Sequence, residues 1–147
     1  MRKFLTLILL LVSYLPTNAQ VYHNDYADCH ALYYSLFEKL FTEPMEVAYI
    51  QLKGVILIKV TSFEEYHVFF IPSLESLVTE FGYSIGDITL IIHNHLHSFQ
   101  FSEGDIKFYW MMKRRGFKGL FLLRTPAGTI FEYDNGKVKK LQVHPSK

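Results

Sequence analysis

The run Ile88-Thr89-Leu90-Ile91-Ile92, almost unbroken in apolar side chains and followed at once by His93, constrains this chain more than any other feature. A strand wetted on one face alternates apolar with polar residues, whereas a continuous apolar run belongs to a central strand covered on both faces. Polar residues begin at His93, so the chemistry of this segment falls at the end of a buried element.

The flanking segments read as short elements that supply the cover. Over residues 28–41 the apolar side chains Ala31, Leu32, Leu36, Phe37 and Leu40 recur at helical spacing, with Asp25 or Asp28 as N-cap. Residues 46–52 and 55–61 are apolar and branched and meet at Lys53-Gly54, which predicts a hairpin, and a third strand is expected over 63–71. Pro72-Ser73 opens a short helix carrying Leu74, Leu77 and Val78, ended by Gly82. Residues 102–115 read as the next helix, stopped by Gly116, and 119–124 as a strand. Strands over 129–133 and 138–143 flank Asp134-Asn135-Gly136, a hairpin turn signal. The expected class is α/β, a mixed β-sheet flanked by a few helices in a single domain.

At 147 residues, half of them hydrophobic, the chain has the content of one packed domain. A net charge of +1 carries no polyanion signature. Lys113-Arg114-Arg115 suits a helix C-terminus and residues 137–140 a solvated face, so no nucleic-acid partner is expected. Arg2 and Lys3, the apolar residues 4–12 and the small residues Thr17-Asn18-Ala19 form the pattern of an export signal. Residues 1–19 are therefore expected as a signal peptide cut after Ala19, and 20–147 as the mature domain, periplasmic or secreted. The apolar run is shorter than the roughly 20 residues that cross a bilayer, so no stable membrane span is expected after cleavage. Cys29, the only cysteine, has no internal disulfide partner and reads as a small buried hydrophobe. Phe108, Tyr109 and Trp110 on the helix, like Tyr33 and Tyr34, read as core; His23, His30, His67 and His144 are scattered.

The informative segment is His93-Asn94-His95-Leu96-His97-Ser98-Phe99-Gln100-Phe101-Ser102-Glu103-Gly104-Asp105. In an extended chain residues two apart face the same side, so His93 and His95 present imidazoles to one point, while Asn94 points away and bonds neighbouring backbone. Ser102 and Asp105 have the spacing of an N-cap and an N3 residue, which puts a carboxylate in the first turn of the following helix. Two imidazoles and one carboxylate suit zinc, with a fourth position left for water. His95 and His97 have the same spacing and form an alternative pair with a shorter loop to Asp105. His97 and Ser98 otherwise read as a solvated loop.

The segment resembles the signature of the JAB/JAMM (MPN-type) metalloprotease superfamily, a His-x-His pair followed by a short loop and Ser-x-x-Asp. The His-Asn-His form is similar to that of its RadC-like bacterial branch. The resemblance implies a JAB/MPN-like, cytidine deaminase-like sandwich and zinc held by His93, His95 and Asp105. It also implies that Ser102 stabilises the oxyanion of the tetrahedral intermediate and that a glutamate on an early strand serves as general base, for which Glu46 is the best match, ahead of Glu43, Glu64 and Glu65. The implied reaction is hydrolysis of a peptide or isopeptide bond in a peptide or protein substrate. Leu96 stands where the family usually has proline, and the loop to Asp105 is about one residue shorter. Those departures favour the alternative of a catalytically inactive JAB-fold binding module, of secreted-effector or immunity type; a zinc-stabilised structural domain with no open coordination site is a second alternative.

Overall fold

The computed structural model describes residues 20–23, 41–42, 44–53, 56–60 and 71–141. The expected signal segment 1–19 lies outside them, as do Cys29 and the helix expected over 28–41, except for Phe41, which is not helical. Strands β1 (Gln20–His23), β2 (Ala48–Leu52), β3 (Ile56–Val60), β4 (Ile88–Asn94), β5 (Leu120–Arg124), β6 (Ile130–Asp134) and β7 (Lys137–Lys140) form one sheet. Its order is β1-β3-β2-β4-β5-β6-β7, so the apolar run occupies the middle position. Among the described residues, helices α1 (Ile71–Glu80) and α2 (Glu103–Arg114) join the sheet in an α/β architecture, with a 3₁₀ turn at Ile85–Asp87.

Every neighbouring pair is antiparallel except β4 and β5. A parallel pair needs a crossover, and the loop with α2 supplies it. The chain leaving β4 at its C-terminal end runs through the loop 95–102 into the first turn of α2, and that turn lies beside the strand end. Ligand sites in open α/β sheets sit in such crevices, outside the carboxyl ends of strands.

Both helices lie over the same face. Leu74, Leu77 and Val78 of α1 and Tyr109 and Met112 of α2 pack there with Ile50, Ile58, Ile91 and Phe121. Ile50 pairs with Ile91 and Ile91 with Phe121, so one row of side chains crosses three strands. On the opposite face Val47, Tyr49, Leu90, Ile92 and Leu122 form a second cluster with Phe41. The two-sided burial read from residues 88–92 is thus present.

Strict alternation cannot put both Ile88 and Ile91 on the helix side, yet both are in that core. A β-bulge resolves this: the register shifts between Gln51 and Leu52, which face Leu90 and Ile88, leaving Thr89 without a register partner while its hydroxyl donates to the Gln51 carbonyl at 3.2 Å. Gly119 makes the bulge compatible with β5, because a Cβ there would lie 2.5 Å from the Thr89 carbonyl group. At the far edge Asn135 and Gly136 have φ of 47° and 85°, both positive as a two-residue hairpin turn requires.

Several expectations need correction. Ile71, expected in a third strand, opens α1; residues 63–70 lie outside the described residues. Trp110 is 40% exposed rather than core, because its position on α2 points away from the sheet that Tyr109 and Met112 face, and its ring meets Tyr109 edge-on. The strand expected from residue 46 begins at Ala48, and β7 ends at Lys140. Strand β1 had no sequence signal strong enough to predict it. No helix among the described residues is long and apolar enough to cross a membrane.

Candidate metal centre

His93 and His95 extend the helix-side row that begins at Ile91, so alternation along β4 aims both rings toward α2. The backbone there is held from both sides. His95 N–H donates to the Arg124 carbonyl at 3.1 Å and Asn94 N–H to the Val47 carbonyl at 3.2 Å. The rings sit 5.0 Å apart. Phe121 and Phe101 flank His93 at 5.6 and 6.1 Å between centroids.

The carboxylate arrives from α2. Ser102 caps the helix: its Oγ accepts from Asp105 N–H at 3.1 Å, while Asp105 Oδ2 accepts from Ser102 N–H at 2.6 Å. This reciprocal box fixes the Asp105 rotamer, and the helix N-terminus favours its negative charge. Asp105 Oδ1 then lies 3.1 Å from His93 Nε2 and Oδ2 lies 3.1 Å from His95 Nε2. Potential ligand atoms of all three residues lie within 4.8 Å of one another. The structure therefore has a His-His-Asp cluster consistent with a JAMM/MPN-type metal-binding motif.

Electrostatics follow from this geometry. Burial would raise the Asp105 pKa, but the two imidazoles beside its carboxylate, with the Ser102 N–H, hold it far below the usual carboxylate range. Burial would likewise lower that of His95, but the hydrogen bond and charge of Asp105, with the charge of Glu46, raise it. The His93 ring is different. Its Nε2 lies 3.1 Å from Asp105 Oδ1 without forming a hydrogen bond, and both its nitrogens, like His95 Nδ1, are buried with no hydrogen-bond partner. Buried polar atoms left unsatisfied cost about 1–3 kcal/mol each. A cation held by the nitrogen and oxygen donors would satisfy Nε2 of His93, and this donor set of two imidazoles and a carboxylate fits zinc.

Glu46 is 9% exposed and precedes β2. Ala48 faces His93, so stepping the antiparallel register two residues outward brings Glu46 beside His95 on the same face. Its influence on the His95 ring agrees with that placement. Asn94 faces away from the cluster, as alternation predicts. His97 is exposed and outside the cluster, which leaves His93 and His95 as the converging pair rather than the shifted one. Glu43, Glu64 and Glu65 lie outside the described residues.

Beside the centre, Phe99, Gln100, Phe101, Ile106, Phe131 and Val138 line a groove of about 510 Å³. Phe99 and Val138 are each 59% exposed at its rim, and sequence reasoning had not joined them because they meet only through the sheet. Fold and site together define an α/β protein with a candidate metal-binding cluster at the end of its central strand. Comparison with protein-family models, curated proteins and solved structures gives no significant match.

Proposed function

We propose that the chain is an exported zinc-dependent hydrolase of the JAMM type, close to the RadC-like branch, that cleaves an amide bond in a peptide or protein substrate. Residues 1–19 are its signal peptide and 20–147 a single domain; β1 opens at Gln20, next to the proposed cut. The observation that carries the reading is the convergence of His93, His95 and Asp105 around buried imidazole nitrogens that have no hydrogen-bond partner.

His93, His95 and Asp105 would hold the ion, and zinc bound there would supply a Lewis acid that acidifies water toward a pKa of about 7. Glu46 accepts a proton from the attacking water and returns it to the departing amine nitrogen. Ser102 uses its hydroxyl as an acceptor toward Asp105 N–H, which leaves its O–H hydrogen to donate to the carbonyl oxygen as charge develops. The products are a carboxylic acid and an amine, with one water consumed. The apolar groove receives a large side chain of the substrate near the scissile bond.

Zinc analysis and peptide-library hydrolysis on the mature protein test this. One zinc per chain, lost in His95→Ala, with hydrolysis lowered about 10²–10⁴-fold in Glu46→Gln while zinc remains, supports it; a wild type without zinc or hydrolysis refutes it. The exposed Phe99 and Val138 favour one second reading, an inactive module whose groove binds a partner protein. Partner capture that survives both substitutions, without hydrolysis, identifies it.

A further inference from the structure

We infer that Asn94 is the positioning residue for Glu46, so that the His-Asn-His tripeptide sets the proposed ligands with its outer members and the proposed base with its middle one. The inference rests on the reading of Glu46 given above. Asn94 Oδ1 accepts from Val47 N–H at 2.6 Å, and Asn94 Nδ2 donates to the Met45 carbonyl at 3.2 Å. Those two groups belong to the peptide planes on either side of the Glu46 Cα. Gripping both planes with one side chain fixes φ and ψ of Glu46, and with them the direction of its Cα–Cβ bond.

Residue type matters here. The grip needs one acceptor and one donor a fixed distance apart, which an amide offers and a carboxylate does not. The amide orientation is unambiguous because Oδ1 meets an N–H and Nδ2 meets a carbonyl. Glu46 lies before β2 proper, so without the Asn94 side chain this stretch loses two cross-chain bonds. Asn94 is buried on the sheet face opposite the cluster, since alternation separates it from His93 and His95. It acts through Glu46, not by touching a ligand.

Asn94→Asp keeps the acceptor toward Val47 and sets an oxygen against the Met45 carbonyl; Asn94→Ala removes both bonds. Each is made in the wild-type and Glu46→Gln backgrounds of the mature protein. In the wild-type background kcat is expected to fall about 10²-fold, the effect of misplacing a reacting group by about 1 Å. KM and zinc content stay unchanged. In the Glu46→Gln background the same substitution changes kcat by less than about twofold, because residues acting as a unit are not additive. An equal loss in both backgrounds, or loss of zinc, overturns the inference. Crystal structures of zinc-free Asn94→Asp and Asn94→Ala give a readout independent of activity: Glu46 is expected to leave the side of His95, and an unmoved Glu46 overturns the inference. A wild type that hydrolyses nothing refutes the proposed reaction, while Glu46 displacement still decides the role of Asn94.

Discussion

Asp105 Oδ2 approaches His95 Nε2 to 3.1 Å across the gap between a strand end and a helix start. The same oxygen accepts the Ser102 N–H, so one helix cap both ends the loop and aims the carboxylate.

On the proposed mechanism Ser102 carries two separable roles. Ser102→Ala removes the cap acceptor and should cost about 1 kcal/mol of stability, whereas Ser102→Gly should cost only a few tenths. Both lack the hydroxyl donor, so both should lower kcat by about 10²–10³-fold. Denaturant titration and steady-state kinetics on the two variants check this. A kcat that tracks stability instead would remove Ser102 from the chemistry.

The zinc-free protein should be most stable in mildly acidic solution. His95 has a folded pKa above its ordinary 6.5, so its contribution is fully present below 6.5 and is lost as pH rises through the raised value. Asp105 has a folded pKa below its ordinary 3.8, so its contribution is present above 3.8 and is lost as pH falls toward the depressed value. Zinc competes with the proton on His95, so binding should weaken as pH drops from above 6.5 and should release protons at neutral pH. Thermal melts across pH with chelator, then with zinc, measure both; a zinc-free melting temperature that climbs steadily to pH 8 would contradict the pairing.

Gly119 tolerates no side chain. A Cβ there meets the Thr89 carbonyl group at 2.5 Å, backbone against backbone, with no flexible atom to yield. Gly119→Ala should destabilise by about 1–3 kcal/mol, the usual cost of overpacking. Because the clash falls on the bulge that sets the register of β4, zinc affinity should fall too. Urea denaturation beside a chelator-competition titration tests the link, and an unchanged stability would show that the two strands separate easily.

The groove predicts selectivity. Phe99→Ser removes an exposed ring from its rim. KM for substrates with a large apolar residue near the scissile bond should rise on the order of tenfold, with kcat unchanged. Indifference of KM to this change would place the substrate elsewhere.

The central strand, the helix cap and the Asn-Gly hairpin were legible in the sequence because each depends on neighbours a few residues apart. The apolar run predicts β4, the Ser-x-x-Asp spacing predicts the start of α2, and Asn135-Gly136 supplies the positive φ values of its turn. Strand β1 was not legible, since its four residues gain their partners only from β3. Trp110 shows the converse: an aromatic on a well-marked helix remains partly exposed because helix rotation is set by the sheet beneath it.

By itself the sequence determined which side chains share a strand end and which carboxylate opens the next helix, because alternation and capping are local. Only the tertiary structure decided that β2 lies antiparallel to β4 in the register that brings Glu46 beside His95 and lets Asn94 grip the peptides around it. Register between distant segments comes from packing two faces at once, around a bulge at Thr89 and a close approach at Gly119, and no local pattern encodes that sum.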